Sequence, residues 1–258
     1  MRIFVDVGSH FGETLEEVIK DKYKFDKIYS FEPSKKCIKK LNEIKDKRIE
    51  FFNFGFSNFN QEVKLYNSGL AKASIYTNKE TDDFEIIKLI KISDWFKKYI
   101  QNNDIVVVKL NCEGSECDII DNLISSNEIN KIYNLLITFD IRFFNKIKKR
   151  ELEIRKKLKR ISLYNYCFSD DVMKGIIHEK RIENWLNIIG IIGDDKDLNE
   201  LRKKNNSILK KYAIKSGIFN RFESNMKRYV YYNHFPNFIK NILRYIKKKL
   251  GLSREYPK

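Results

Sequence analysis

The first 54 residues alternate between short apolar runs and longer amphipathic stretches. The apolar runs are RIFVDV (2–7), KIYSFE (27–32) and IEFFNF (49–54), and each has the length and composition of a buried strand. Two helix-like stretches separate these runs. Adjacent parallel strands need a crossover of this kind, because a tight turn joins only antiparallel neighbours. The order therefore predicts an α/β protein built on a parallel sheet.

The chain beyond residue 54 continues the same pattern. IVVVKL (105–110) and YNLLITF (133–139) are apolar enough to be central strands. SLYNYCF (162–168) and VMKGIIH (172–178) are read as an antiparallel pair that closes the sheet. We therefore predict a Rossmann-like α/β fold, with a mostly parallel sheet and a closing antiparallel strand.

The positive charge of the chain is concentrated at its C-terminal end. The net charge is +16, and residues 195–258 contribute 17 Lys and Arg against 5 Asp and Glu. This segment also has the periodicity of basic amphipathic helices. We expect a domain over 1–194 and a helical appendage over 195–258. Such an appendage suits an anionic partner, a membrane surface or self-association into a homo-oligomer.

Several protein classes are disfavoured by what the sequence lacks. There is no run of about 18 apolar residues and no basic region followed by an apolar stretch and a cleavage site, so we expect neither a spanning helix nor a secretory signal. The four cysteines form no CxxC pair, and no His spacing completes a zinc site, so we predict no metal. We expect a cytoplasmic protein, and the basic tail would allow contact with the inner face of a membrane.

The first chemical motif is DVGSHFGET, at residues 6–14. Here a buried strand enters a turn at Gly8, and a helix starts after Gly12. Gly8 permits a tight turn, and Gly12 allows the helix to pack close to the strand. His10 replaces the middle glycine of a dinucleotide-binding turn. A pyrophosphate favours that glycine, so the motif favours S-adenosylmethionine over NAD.

Two further motifs place acidic residues at strand ends. Glu32 ends the second strand, 20 residues after Gly12, where an acid can accept hydrogen bonds from ribose hydroxyls. Glu113 and Glu116 follow the strand 105–110. They could hold the amino-acid part of a cofactor, face a methyl acceptor, or serve only as a helix cap.

These motifs resemble the FkbM-type family of S-adenosylmethionine-dependent methyltransferases. DVGSHFGET resembles its DVGANxGxxT motif, SFEPSKKCIKKL its FEPxPxxxxxL segment, and VVKLNCEGSECDII its LKIDVEGxExxVL segment. FGFSNFNQEVKLYN is similar to a fourth segment, in which Asn58 replaces the usual Asp, and Asn111 replaces the Asp of LKIDVEG. The four motifs are collinear over residues 2–140. The resemblance implies a class I methyltransferase fold and O-methylation.

The motifs and the resemblance together predict which residues contact S-adenosylmethionine. The predicted cofactor-binding residues are Asp6, Gly8, Ser9, His10, Phe11, Gly12, Thr14, Glu32, Ser57 and Asn111.

The predicted acceptor side needs a base and groups that orient a hydroxyl. Asp140 and His178 each end a predicted strand, and an Asp–His pair could hold a neutral imidazole as the base. Glu113 is the third catalytic candidate. Arg142 and Glu116 are candidates for binding substrate. Alternatively, Asp140 pairs with Arg142 and His178 only packs.

The sequence analysis leads to a methyltransferase hypothesis and two rivals. The main hypothesis is an S-adenosylmethionine-dependent methyltransferase that acts on a sugar hydroxyl, including nucleotide-linked sugars used for bacterial surface polysaccharides. The basic, aromatic tail also suits an RNA methyltransferase. The third alternative is a membrane-surface or assembly module that uses the same tail.

Overall fold

The computed structural model describes six stretches of the chain: residues 1–70, 73–76, 82–140, 149–161, 165–173 and 177–191. The expected domain boundary at residue 195, the basic tail and Arg142 lie outside the described residues.

Nine strands and seven α-helices make up the described part of the chain. The strands are β1 (Arg2–Val7), β2 (Lys27–Phe31), β3 (Ile49–Phe52), β4 (Gly55–Ser57), β5 (Gln61–Tyr66), β6 (Phe84–Lys91), β7 (Ile105–Leu110), β8 (Ile132–Ile137) and β9 (Tyr166–Phe168). The helices are α1 (Leu15–Val18), α2 (Lys35–Leu41), α3 (Ile92–Tyr99), α4 (Glu116–Ser125), α5 (Lys149–Arg160), α6 (Ser169–Val172) and α7 (His178–Ile188).

Six strands form the main sheet in the order β3-β2-β1-β7-β8-β9, and every neighbouring pair is parallel. The strand order reverses between β1 and β7, since β2 and β3 extend one way and β8 and β9 the other. In open α/β sheets, ligands bind at such a switch point, outside the carboxyl ends of the strands. The predicted Rossmann-like α/β class is confirmed.

The predicted closing antiparallel pair is wrong in the described residues. β9 runs parallel to β8, with Tyr166 opposite Leu135. The expected turn after β9 is the short helix α6, and His178 is the first residue of α7 rather than the end of a strand. The physical reason is the helical spacing of Ile182, Trp185 and Leu186, whose burial along one face extends the helix back to His178.

A second, three-stranded sheet has the order β4-β6-β5. β4 is parallel to β6, and β5 is antiparallel to it. Leu65, Ile87 and Leu89 form a small apolar cluster on this sheet. The short connection between β3 and β4 places this sheet beside the carboxyl end of the main one, where it can form a wall of the site.

The main sheet is buried on both faces. In β1, Ile3 and Val5 belong to one core cluster, while Phe4, which points to the opposite face, belongs to another. Strands covered on both sides read as continuous apolar runs, which is why 2–7 and 105–110 lack polar alternation. None of the helices described is long and apolar enough to cross a membrane.

Candidate cofactor and acceptor site

The chain turns tightly after β1, and this turn requires glycine at residue 8. Gly8 has a φ of +81°, and a Cβ placed there would lie 1.9 Å from the carbonyl oxygen of Asn111. The loop after β7 therefore runs directly against the turn. A side chain would force the two backbones apart, so the close contact depends on the absence of a Cβ.

The five backbone amides of this turn, at residues 8–12, all donate hydrogen bonds within the protein. Gly8 and Ser9 donate to the carbonyl oxygen of Phe31, at 3.0 and 3.1 Å, and Gly12 donates to that of Ser9. His10 N–H donates to Glu32, and Phe11 N–H donates to Glu13. The turn therefore differs from a phosphate-binding loop, in which free amides face the ligand.

Glu32, at the end of β2, is held in a fixed position. One of its oxygens accepts from the amide of His10 and the other from the amide of Ser34, both at 2.9 Å. Its side chain lines a cavity, and burial raises its pKa. Because each carboxylate oxygen has a second lone pair, Glu32 can still accept hydrogen bonds from a ligand hydroxyl.

A buried ion pair lies beneath the turn. Asp6 and Lys109 face each other across β1 and β7, and Lys109 Nζ lies 2.9 Å from Asp6 Oδ1. The same ammonium donates to the carbonyl oxygen of Gly8 at 2.8 Å. Asp6 therefore supports the turn through Lys109 and does not line the cavity itself. Lys109 lines the cavity, although the sequence analysis did not identify it.

His10 sits at the open side of the turn with a left-handed backbone, at a φ of +50°. Its Nδ1 lies 2.8 Å from Glu13 Oε1, and its Nε2 is buried with no hydrogen-bond partner among the described residues. Asn111 Oδ1, also on the cavity, is buried and unpartnered in the same way. Buried polar atoms without partners are rare, and here they mark positions where a ligand can bond.

His178 connects α7 to the turn. Its Nε2 lies 3.0 Å from Thr14 Oγ1, and the side chain lines the cavity. Burial lowers the pKa of His178, and the charge of Lys109 lowers it further. We expected Asp140 to pair with His178, whereas the hydrogen bond of His178 Nε2 is to Thr14.

The loop after β7 carries Glu113 and Glu116, which have different surroundings. Glu116 is fully buried and accepts hydrogen bonds from the amides of Cys112 and Gly114. It therefore holds the loop in shape and is not accessible to a substrate. Glu113 has a φ of +54° and lines the cavity, and its carbonyl oxygen accepts from Ser74 Oγ.

Glu113, Glu116 and Asp140 form a cluster of carboxyl groups. The carboxyl groups of Glu113 and Asp140 lie close enough for their charges to interact. Burial, followed by the charge of Asp140, raises the pKa of both Glu113 and Glu116 to about 8. No group of three or more Cys, His, Asp or Glu residues in the described stretches is arranged to hold a metal ion.

These features surround a cavity of about 360 Å³. Eight residues predicted from the sequence line it: Gly8, Ser9, His10, Thr14, Glu32, Asn111, Glu113 and His178. An apolar wall faces them, formed by Gly55, Phe56, Leu65, Leu70, Ala73, Ile75, Ile87 and Leu89. The sequence analysis missed this wall. The alternation in β5 and β6 predicts one apolar face for each strand, but not which cavity that face borders.

Several predicted site residues lie outside the lining. Gly12 packs against the end of α2 and the turn after it, where a Cβ would lie 3.2 Å from Leu41 Cδ2 and 2.7 Å from Ile44 Cδ1. Phe11 lies under Lys40 Nζ, and Ser57 Oγ bonds the side chain of Asn58. Asp140 is nearly buried and contacts the cavity through Glu113.

The residues present fit S-adenosylmethionine. A carboxylate at the end of β2 suits ribose hydroxyls, and an apolar wall suits an adenine ring. Glu13, Glu32 and Glu113 on the lining also suit a cationic ligand, because the one lysine there is paired with Asp6. A dinucleotide fits less well, because the turn offers no free amide at residues 8–12 to a pyrophosphate.

The chain has limited similarity to known proteins. No protein-family model matches the chain, and no curated protein does. Among solved structures, the chain is similar to the methyltransferase FkbM from Methylobacillus flagellatus KT, with 17% identity and a TM-score of 0.39. The match covers 60% of this chain and 37% of that one, so this chain spans a little over a third of that protein. A similarity of this size does not establish activity, which has to be argued from the site.

Proposed function

We propose that this chain is an S-adenosylmethionine-dependent methyltransferase. One observation carries the proposal: Glu32 is fixed by two amides at a cavity whose glycine turn has no free amide for a pyrophosphate. Dinucleotide and S-adenosylmethionine sites share the ribose-binding acid, but only the dinucleotide needs backbone donors for phosphates. The cavity therefore supports a nucleoside ligand without phosphate.

The lining suggests how the cofactor would be held. Glu32 would accept hydrogen bonds from the ribose hydroxyls, and the wall around Phe56 and Leu89 would contact the adenine. Asn111 Oδ1 and His10 Nε2 are buried polar atoms that could bond the amino-acid end. When bound, the cofactor supplies an electrophilic methyl group, and the protein supplies orientation and a place for the acceptor's proton.

The acceptor we propose is a hydroxyl group on a sugar, including a nucleotide-linked sugar. This proposal follows from the family that the motifs resemble. The basic segment 195–258 would suit a phosphate-bearing acceptor, and we propose a cytoplasmic location for the reaction. The RNA methyltransferase and membrane-surface alternatives depend on that same segment, which lies outside the described residues.

Calorimetric titration tests the proposed cofactor. The full chain should bind S-adenosylmethionine and S-adenosylhomocysteine, and NAD much more weakly. Glu32→Ala should weaken both adenosyl ligands by about 1–3 kcal/mol, the scale of a lost charge-assisted hydrogen bond. Glu43→Ala, which removes an exposed carboxylate after α2, is the matched control and should bind normally. NAD binding as tight as that of S-adenosylmethionine would overturn the proposal.

A second assay separates the acceptor classes. Release of S-adenosylhomocysteine is followed with neutral sugars, nucleotide-linked sugars or RNA as the added acceptor. Turnover with a sugar supports the proposal. Turnover only with RNA, at a rate that falls steeply with salt, would favour the RNA alternative.

A further inference from the structure

Several ionisable side chains line the cavity, and among them Glu13 and Glu32 accept from amides of the turn while His10 lies on the turn itself. The remaining carboxyl and imidazole groups that could take a proton from an acceptor hydroxyl are His178 and Glu113 on the lining and Glu116 beside it. Two of them are poorly suited. His178 Nε2 is bonded to Thr14, and its burial beside Lys109 disfavours the cation that forms when a base takes up a proton. Glu116 has no exposed surface, and both of its oxygens accept backbone hydrogen bonds.

Glu113 differs from Glu116 in lining the cavity, and it differs from His178 in becoming neutral rather than cationic when it takes up a proton. Glu113 follows Cys112 in the loop after β7 and has a left-handed backbone conformation. Its carbonyl oxygen accepts a hydrogen bond from Ser74 Oγ. Its carboxyl group lies close to that of Asp140, which follows β8. Since β7 and β8 are adjacent parallel strands, both groups emerge at the same edge of the sheet.

Two carboxyl groups that lie close together tend to share a proton, because two adjacent negative charges in a poorly solvated site repel each other. Among the described residues, the charged groups near Glu113 are Asp140, Glu116 from α4 and Lys109 from β7, and the thiol of Cys112 lies next to it. The two carboxylates outweigh the one ammonium, which is already paired with Asp6. Burial, followed by the charges of Asp140 and Glu116, raises the pKa of Glu113 to about 8.

We propose that Glu113, which lines the cavity beside Asp140, is the catalytic base that accepts the proton of the acceptor hydroxyl; this inference rests on the proposed methyltransferase function. The acceptor O–H bond breaks, and its proton forms a new O–H bond on the Glu113 carboxylate. The oxygen uses its electron pair to form the bond to the methyl carbon, while the C–S bond breaks and its electron pair stays on sulfur. The proton then leaves Glu113 for solvent.

This assignment also limits the acceptor. The reacting group lies beside Glu113, which must be ionised to act as a base, so a carboxylate or phosphate oxygen would be repelled there. A neutral hydroxyl would be accepted, and it is also the group that needs a base. Any phosphate of the acceptor must lie away from Glu113. The charge of Glu113 therefore favours an alcohol over an acid as the reacting group, and a methyl ether over a methyl ester as the product.

Proton-linked calorimetry tests the base without an identified acceptor. S-adenosylmethionine and S-adenosylhomocysteine are titrated into the full chain at neutral pH, in buffers of different ionisation enthalpy. S-adenosylmethionine carries a sulfonium charge that S-adenosylhomocysteine lacks. A base that takes the acceptor's proton during methyl transfer must lie close to that charge. We expect S-adenosylmethionine to release more protons than S-adenosylhomocysteine, because the sulfonium favours ionised Glu113.

The variants separate the outcomes. Glu113→Gln should abolish the difference in proton release while both ligands still bind. Asp140→Asn should reduce it, since loss of the neighbouring charge lowers the pKa of Glu113. Glu62→Gln, an exposed carboxylate on β5, is the matched control and should leave the difference intact. A difference that persists in Glu113→Gln, or equal proton release by the two ligands with the unmodified chain, would overturn the inference.

The same calorimetry distinguishes failure of the proposed function from failure of the base assignment. If neither adenosyl ligand binds the unmodified chain, the methyltransferase proposal itself is overturned, and the base assignment falls with it. If both bind and only the proton count disagrees, the function stands and Glu113 is not the base. Once an alcohol acceptor is found, Glu113→Gln should lower kcat by about 10²–10⁴-fold with little change in cofactor affinity.

Discussion

Lys109 and Asp6 form an ion pair that is almost completely buried, with their side chains 5% and 0% exposed and 2.9 Å between Nζ and Oδ1. The ammonium also donates to the Gly8 carbonyl oxygen. One cation therefore links β7, β1 and the glycine turn. The shape of the turn depends on this pair as well as on the glycine.

Removal of one partner of this pair should destabilise the protein strongly. Lys109→Met or Asp6→Asn is expected to lower the free energy of unfolding by about 3–5 kcal/mol, because each leaves a buried group uncompensated. The double variant should cost less than the sum of the two, by about 0.5–3 kcal/mol. Denaturant titration measures the free energies of unfolding of the single and double variants, and Lys97→Met, at an exposed position on α3, is the control. Strict additivity would show that the two charges are not coupled.

Alanine at Gly8 should be tolerated less well than alanine at Gly69. Both glycines have positive φ, at +81° and +76°, so both variants carry a backbone cost of about 1–2 kcal/mol. At Gly69 the nearest atom is the flexible Lys36 Cδ, which can move away. At Gly8 it is the Asn111 carbonyl oxygen, which is fixed in the loop after β7.

We therefore expect Gly8→Ala to be the less stable variant and to lose adenosyl-ligand binding, while Gly69→Ala keeps more of both. Thermal unfolding and calorimetry compare the two variants. Equal losses would mean that the backbone contact at Asn111 contributes nothing beyond the conformational strain.

The stability of the protein should respond to the charge of Glu113. Its pKa rises from 4.5 to about 8 on folding, so between these values the folded chain holds a proton that the unfolded chain has released. The contribution to stability therefore falls as pH rises through this window. Glu113→Gln does not titrate, so it should gain stability relative to the unmodified chain as the pH rises from below 4.5 to above 8.

The expected gain is modest, because Glu113 is only partly buried and solvent screens its charge. Above pH 8 the melting temperature of Glu113→Gln should exceed that of the unmodified chain by about 2–4 °C, the shift that about 1 kcal/mol gives in a chain of this size. Melting curves across the pH range measure it, with Glu62→Gln as reference. A constant offset at all pH values would mean that Glu113 does not carry the raised pKa.

The sequence predicts the central part of the site because that part depends on local patterns. Gly8, Glu32 and Glu113 each follow an apolar run, and parallel strands bring their carboxyl ends to one edge. The Lys109–Asp6 pair could not be predicted in this way. It depends on the register of β1 against β7, which no local pattern encodes. His178 was misplaced because a short apolar run such as VMKGIIH reads equally well as strand or helix.

The internally bonded amides of residues 8–12 have a consequence for how specificity can change. In a phosphate-binding loop the backbone amides themselves contact the ligand, so its backbone and its selectivity are difficult to alter separately. Here the backbone amides are bonded within the protein, and selectivity depends on side chains at the rim of the turn, such as His10, whose Nε2 has no partner among the described residues. Substitutions at the rim can therefore retune which nucleoside is accepted while the scaffold beneath keeps its geometry.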